Sequence, residues 1–288
     1  MSSLTLVLVL IAAFTHATWN LVAKRADDKL SFLWASAVAT AVLFCPLGLW
    51  LALAQPVPPL GWVVLASSAL LEAAYFWSLS QAYRYGDLAL VYPVARGTAP
   101  LLVPLLAALF LGERLSPVAT CGILLVALGI VTAHLPVFGV KGLRLLASSA
   151  RQLGTRYALL TGLIIASYST VDKLGVSLVY PALYNYLLFA GLSLALLPLL
   201  RGRQAAILAE WRRHRQGIVA VGVLSPLTYG LVLVALTQAP VSYVAPAREI
   251  SVVIAAVMGI VLLHEPYGPQ RIAGSALIAA GLVLLAVG

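Results

Sequence analysis

The stretch Val91-Tyr92-Pro93-Val94-Ala95-Arg96-Gly97-Thr98-Ala99-Pro100 carries an arginine, a tyrosine and two prolines within a long apolar run. The run lies in hydrocarbon, by composition. Of 288 residues, 62% are hydrophobic and only 9% charged, and the mean hydropathy is +1.02. Soluble domains hold about 25% charged residues, so this chain lives in a bilayer. A charge at a helix centre there costs about 2.5–3.5 kcal/mol on insertion scales, and it faces a cavity or a partner. Arg96 therefore points to one of the two.

Working outward, apolar segments of roughly 18–24 residues, enough for a helix to cross a ~30 Å hydrocarbon core, recur along the whole chain. They fall near 4–23, 30–53, 60–82, 88–111, 117–135, 156–178, 182–200, 216–237, 242–263 and 269–287. The expectation is an all-α membrane protein of ten transmembrane helices. Only the connections Pro136 to Thr155 and Arg201 to Arg215 are long, which leaves no room for a soluble domain. The first segment lacks a basic leader and is read as a retained span.

Charge then gives an orientation. Of the 18 Lys and Arg residues, 14 fall on one side of the expected spans, among them Lys24, Arg25, Lys29, Arg203, Arg212 and Arg271. Only Arg114 falls on the other side, and Arg96, Lys173 and Arg248 lie within spans. The positive-inside rule makes the basic loops cytoplasmic and puts both termini outside. The net charge of +9 is thus a topological signal, and no nucleic-acid partner is expected. The Arg201 to Arg215 stretch is expected to lie against anionic lipid headgroups. Cys45 and Cys121 sit in apolar segments without metal-ligating neighbours and read as packing residues.

A shift of 152 residues (248 − 96) pairs Arg96 with Arg248, Glu113 with Glu265, Pro117 with Pro269, Gly122 with Gly274 and Gly129 with Gly281. The same shift pairs Pro46 with Pro198, Thr18 with Thr170, and Asn20 with Asp172. One constant offset across four different spans marks an internal duplication. Each copy holds an odd number of spans, five, so the second enters the membrane the other way up. Inverted repeats are the architecture of alternating-access transporters, with the substrate site near the midplane between the copies.

The signature Leu111-Gly112-Glu113-Arg114-Leu115-Ser116-Pro117, followed by Gly122 and Gly129, has an echo in His264-Glu265-Pro266 followed by Gly274 and Gly281. With the first-span stretch His16-Ala17-Thr18-Trp19-Asn20-Leu21-Val22-Ala23-Lys24, these residues resemble the drug/metabolite transporter superfamily in its ten-helix EamA-type form. The resemblance spans nearly the whole chain and implies two five-helix repeats, residues 1–140 and 153–288. It also implies a bacterial-type inner-membrane exporter of small metabolites, most similar to the exporters of amino acids, aromatic ones included. Members are often drawn with both termini in the cytoplasm, and the charge count here argues the reverse.

The polar residues within spans are the candidates for a site: Glu72, Arg96, Asp172, Lys173, Arg248 and Glu249, with His16 and Asn20 beside them. Arg96 and Arg248 lie roughly 9–12 Å into their spans at 1.5 Å per residue and approach the midplane from opposite sides. One of them is read as receiving a substrate carboxylate. The structural alternative is that each satisfies carbonyls freed by Pro93, Pro100 or Pro246. Glu249 points about 100° away from Arg248 on a helix, so separate partners are expected. Glu72, at a depth of ~18 Å, is the best-placed acid for a substrate ammonium or for proton coupling. Asp172 and Lys173 are expected to form a rim ion pair. Glu113 and Glu265 are expected to cap the helices that follow them.

Aromatic side chains supply the walls. Glu72, Tyr75, Leu79 and Tyr83 share a face at i, i+3, i+7 and i+11. The residues expected to line a cavity are Glu72, Tyr75, Tyr83, Tyr92, Arg96, Tyr168, Tyr229 and Arg248. Aromatic walls with one acid and one arginine suit a zwitterion, and prolines such as Pro93, Pro100 and Pro246 make kinked helices that serve as gates.

The function expected is secondary transport of amino acids with broad specificity, by a functional monomer and without a cofactor. The alternative is a multidrug, nucleotide or other metabolite exporter in which Glu72 takes a cation. The chain carries no HExxH, no GxSxG context, no paired histidines and no P-loop, so it is read as neither an enzyme nor an ATPase.

Overall fold

The computed structural model describes residues 1–86, 88–133, 135, 142, 152–263 and 268–288, with residues 88–90, 92–93, 259–260 and 262–263 described in backbone only. Among the described residues every regular element is helical. The first half contains α1 (Ser3–Ala23), α2 (Lys29–Leu43), α3 (Cys45–Ala54), α4 (Pro59–Tyr85), α5 (Leu88–Leu111) and α6 (Pro117–Ala133). The second contains α7 (Leu153–Leu178), α8 (Pro181–Ala195), a 3-10 turn (Leu197–Leu200), α9 (Gln204–Gln238), α10 (Val241–Ala247), α11 (Ile250–Leu263) and α12 (Pro269–Val287).

Among the described residues seven helical segments are long and apolar enough to cross a membrane, and an eighth is obtained if α2 and α3, bent by 57° at their junction, count as one crossing. The helices α6 and α8 are apolar but shorter. Leu53, Leu109, Phe110 and Val287 are 70–90% exposed, which only a hydrocarbon solvent makes cheap. The chain is thus a multi-pass membrane protein.

Four expected spans differ in form. The segments at 30–53 and 182–200 are each interrupted, the first between Leu43 and Cys45 and the second between Ala195 and Leu197. Pro46 and Pro198 follow those breaks. Proline has no N–H to bond the preceding turn and its ring clashes with the carbonyl four residues back, so neither helix runs straight through. The connection Arg201 to Arg215 is helical from Gln204, and α9 is 35 residues long with non-helical backbone at His214 (φ −123°, ψ 21°). The ninth segment breaks between Ala247 and Ile250, immediately after Pro246, and Arg248 and Glu249 occupy the break.

Packing joins the halves. The helix pairs α1 with α9 and α4 with α7 are counterparts under exchange of the halves, as are α1 with α11 and α5 with α7, and α2 with α9 and α4 with α8. The most extensive pairing among the described residues is α6 with α12. A Cβ at Gly122 would lie 2.8 Å from the Gly281 carbonyl oxygen, and one at Gly129 would lie 2.7 Å from that of Gly274. Only glycine permits this approach. The early glycine of each helix meets the late glycine of the other, so the two run antiparallel. Trp34, early in α2, donates to the carbonyl of Ser193, late in α8, at 2.9 Å, so that pair is antiparallel too. The main apolar core spans both halves, with Val9, Leu65 and Val103 from the first and Leu188, Leu233 and Ile278 from the second.

Candidate binding site

A cavity of about 1360 Å³ opens between the halves. Its walls come from α1 (His16, Trp19, Asn20), α4 (Glu72, Tyr75, Tyr83), α5 (Arg96), α7 (Tyr168), α9 (Tyr229) and the break after α10 (Arg248, Glu249). From this interior it runs to the end of the bundle marked by Lys24, Asp28, Lys29, Arg203 and Arg271, the basic side. Seven of the eight expected lining residues are therefore brought together: Glu72, Tyr75, Tyr83, Arg96, Tyr168, Tyr229 and Arg248. The side chain of Tyr92 lies outside the described residues, as do His134, His264 and Glu265.

The two repeat-related arginines have different surroundings. Arg96 reaches across to the other half, with Nη1 3.6 Å from Oε1 of Glu249 and Nη2 3.5 Å from Nε2 of His16. Side-chain exposures of 15% and 7% put this ion pair where losing either partner strands a charge away from water. Arg248 has no carboxylate within 4.0 Å among the described residues. Its guanidinium carbon lies 6.0 Å from the centroid of the Tyr229 ring, a cation–π distance. It stands at the wall of the cavity without a direct ion pair among the described residues. Glu249 and Arg248, adjacent in sequence, do have separate partners.

Asp172 is not at a rim. It is fully buried and accepts hydrogen bonds from Ser68 Oγ at 2.5 Å, from Tyr184 Oη at 2.7 Å and from Tyr229 Oη. Three hydroxyl donors satisfy the carboxylate, which makes its burial tolerable. Lys173, one residue on and so turned ~100° away, donates instead to the carbonyls of Leu236 at 2.5 Å and Ala239 at 3.0 Å. The expected rim pair fails because adjacent helical residues do not face each other. Ser68 and Tyr184 were missed as site-supporting residues. The same 152-residue shift pairs His16 with Tyr168, both in the cavity wall, and that signal was available in the sequence.

Glu72 lines the cavity on the same face of α4 as Tyr75, Leu79 and Tyr83. Among the described residues no hydrogen bond or ion pair reaches its carboxylate. The Tyr75 and Tyr168 rings meet edge to face, with centroids 6.3 Å apart, and so join the wall of the first half to that of the second.

At the opposite end the two halves are tied together. Glu113 accepts from the backbone N–H of Val241 at 2.9 Å, from that of Ser242 at 3.0 Å and from Ser242 Oγ at 2.5 Å. It therefore caps α10 of the other half, not the helix that follows it. Ser116 serves α6, accepting from the N–H of Ala119 at 3.0 Å. The positive φ of Gly112, 67°, turns the chain so that Glu113 can point across.

The family model described as EamA-like transporter family matches residues 3–134 and again 152–287. No curated protein matches this chain. A crystal structure of a protein superposes with a TM-score of 0.70 at 18% identity, over 99% of this chain and 96% of that one. At that identity the likeness is one of fold.

Proposed function

We propose, since the chain belongs to the EamA-like transporter family, that it moves amino acids across the membrane as a secondary transporter of broad specificity, aromatic substrates included. The observation that carries this reading is that Arg248 and Glu72 line the same cavity. A cation whose guanidinium lies by the Tyr229 ring and an acid without a hydrogen bond among the described residues face one cavity walled by tyrosines. Arg248 takes the substrate carboxylate by charge-assisted hydrogen bonds and Glu72 the ammonium. Tyr75, Tyr83, Tyr168 and Tyr229, with Tyr92, contact the side chain. Arg96 holds the two halves together through Glu249.

Ten crossings in two inverted five-helix repeats, 1–140 and 153–288, fit this reading. It is supported by the antiparallel contact of the repeat-related α6 and α12, by the exchange of helix neighbours between halves, and by the two separate family matches. An interrupted helix at the site, here between α10 and α11, suits alternating access. A cavity that reaches the basic end, with the halves tied together at the Glu113 end, fits one of the two states such a cycle needs. With the basic loops cytoplasmic and both termini outside, that state faces the cytoplasm, as an inner-membrane exporter requires for loading. One chain supplies the whole cavity, so a monomer suffices.

Uptake of labelled amino acids into proteoliposomes tests the reading, with excess unlabelled zwitterions or lipophilic cations as competitors. Competition by zwitterions is expected. Competition by cations alone would transfer the cavity to the multidrug reading, in which Glu72 is the principal contact.

A further inference from the structure

A second hollow, of about 570 Å³, lies where the end of α1 meets the break in α9. Val22 and Phe32 give it apolar walls, and Arg25, Arg212, Arg213 and Arg215 surround them together with His214. Arg213 is committed to Asp27 at 2.9 Å, and His214 lies 3.8 Å from the same carboxylate. Arg25, Arg212 and Arg215 are exposed and have no carboxylate within 4.0 Å among the described residues. Three like charges thus line one hollow with no direct ion pair among the described residues, which an anion joining them would relieve.

The depth of the hollow is set by its neighbours. Leu208 and Trp211, in the part of α9 that precedes the break, are 49% and 47% exposed. A tryptophan and a leucine turned outward beside arginines are the mark of a segment at the boundary between headgroups and acyl chains. The break at His214 then begins the membrane-crossing part of α9.

We propose that this hollow binds the phosphate of an anionic phospholipid headgroup. Arg25, Arg212 and Arg215 engage its oxygens, since the planar guanidinium matches phosphate geometry. Half-buried Val22 and the outward Leu208 and Trp211 meet the start of the acyl chains, which a free phosphate ion would leave uncovered. A headgroup held there bridges α1 and α9, the helices that carry His16 and Tyr229 of the cavity, and it fixes their separation on the basic side.

The test is binding of phosphatidylglycerol to the purified full chain in detergent, by native mass spectrometry, beside phosphatidylcholine and inorganic phosphate. Phosphatidylglycerol should bind in preference to phosphatidylcholine. Each arginine replaced by glutamine should weaken binding about fivefold, and Arg25→Gln/Arg212→Gln/Arg215→Gln together about 100-fold. If the triple variant is not monodisperse, the single variants Arg212→Gln and Arg215→Gln give the same reading. Equal retention of phosphatidylglycerol by the variants, or equal binding of phosphatidylcholine, would overturn the proposal. Inorganic phosphate that displaces the lipid at equal concentration would also overturn it, and would assign the arginines to a soluble ion.

Discussion

Replacing Arg248 and Arg96 by glutamine in parallel separates ligand recognition from support. Arg248→Gln removes a charge that makes no direct ion pair among the described residues, so the fold should lose little and the substrate should lose its carboxylate partner. A hydrogen bond to a charged group contributes about 1.5–3 kcal/mol, which corresponds to a roughly 10- to 150-fold rise in the KM for transport. Arg96→Gln instead strands Glu249, whose side chain is 7% exposed. Breaking one side of a buried pair costs about 3–5 kcal/mol, and the 3.6 Å separation places this pair at the lower end. The unfolding temperature should therefore fall for Arg96→Gln and recover in Arg96→Gln/Glu249→Gln, while KM moves chiefly with Arg248. The assays are proteoliposome uptake at graded substrate concentration and thermal unfolding in detergent. Unchanged KM in Arg248→Gln, together with a stable Arg96→Gln that has lost affinity, would refute the assignment of roles.

Asp172→Asn replaces the charged acceptor of three hydroxyls by a neutral amide and should lower stability by about 2–4 kcal/mol in thermal unfolding. The loosened Tyr229 should also raise KM, whereas Lys173→Met should not. Gly129→Ala would set a Cβ 2.7 Å from the Gly274 carbonyl oxygen and force α6 from α12, at a cost of about 1–3 kcal/mol read by the same measurement. Glu113→Gln weakens the cap on α10 by about 1 kcal/mol, and thiol labelling of Val244→Cys in a background lacking Cys45 and Cys121 should speed up several-fold. Glu72→Gln should raise KM for zwitterions and leave the unfolding temperature near that of the parent, since no described residue depends on its carboxylate.

Several features are legible in the sequence alone. Composition and segment length placed the chain in a bilayer, and the face of α4 that carries Glu72, Tyr75 and Tyr83 followed from helical spacing. The shift of 152 residues linked Arg96 with Arg248, and both line the one cavity. Proline positions could have indicated more, since Pro46 and Pro198 break their helices at equivalent places, and reading those segments as unbroken ignored the missing hydrogen bond.

What the sequence could not decide is which groups neutralise each other. Arg248 and Glu249 are covalent neighbours, yet the helix turns them apart and the packing of the halves brings Glu249 to Arg96. Asp172 and Lys173 likewise sit side by side in sequence and face different partners, one three hydroxyls and the other two carbonyls. Glu113 caps a helix that begins 128 residues later. Charges in low dielectric are satisfied by whatever lies within a few ångströms, and across a membrane bundle those distances are set by helix packing rather than by position along the chain.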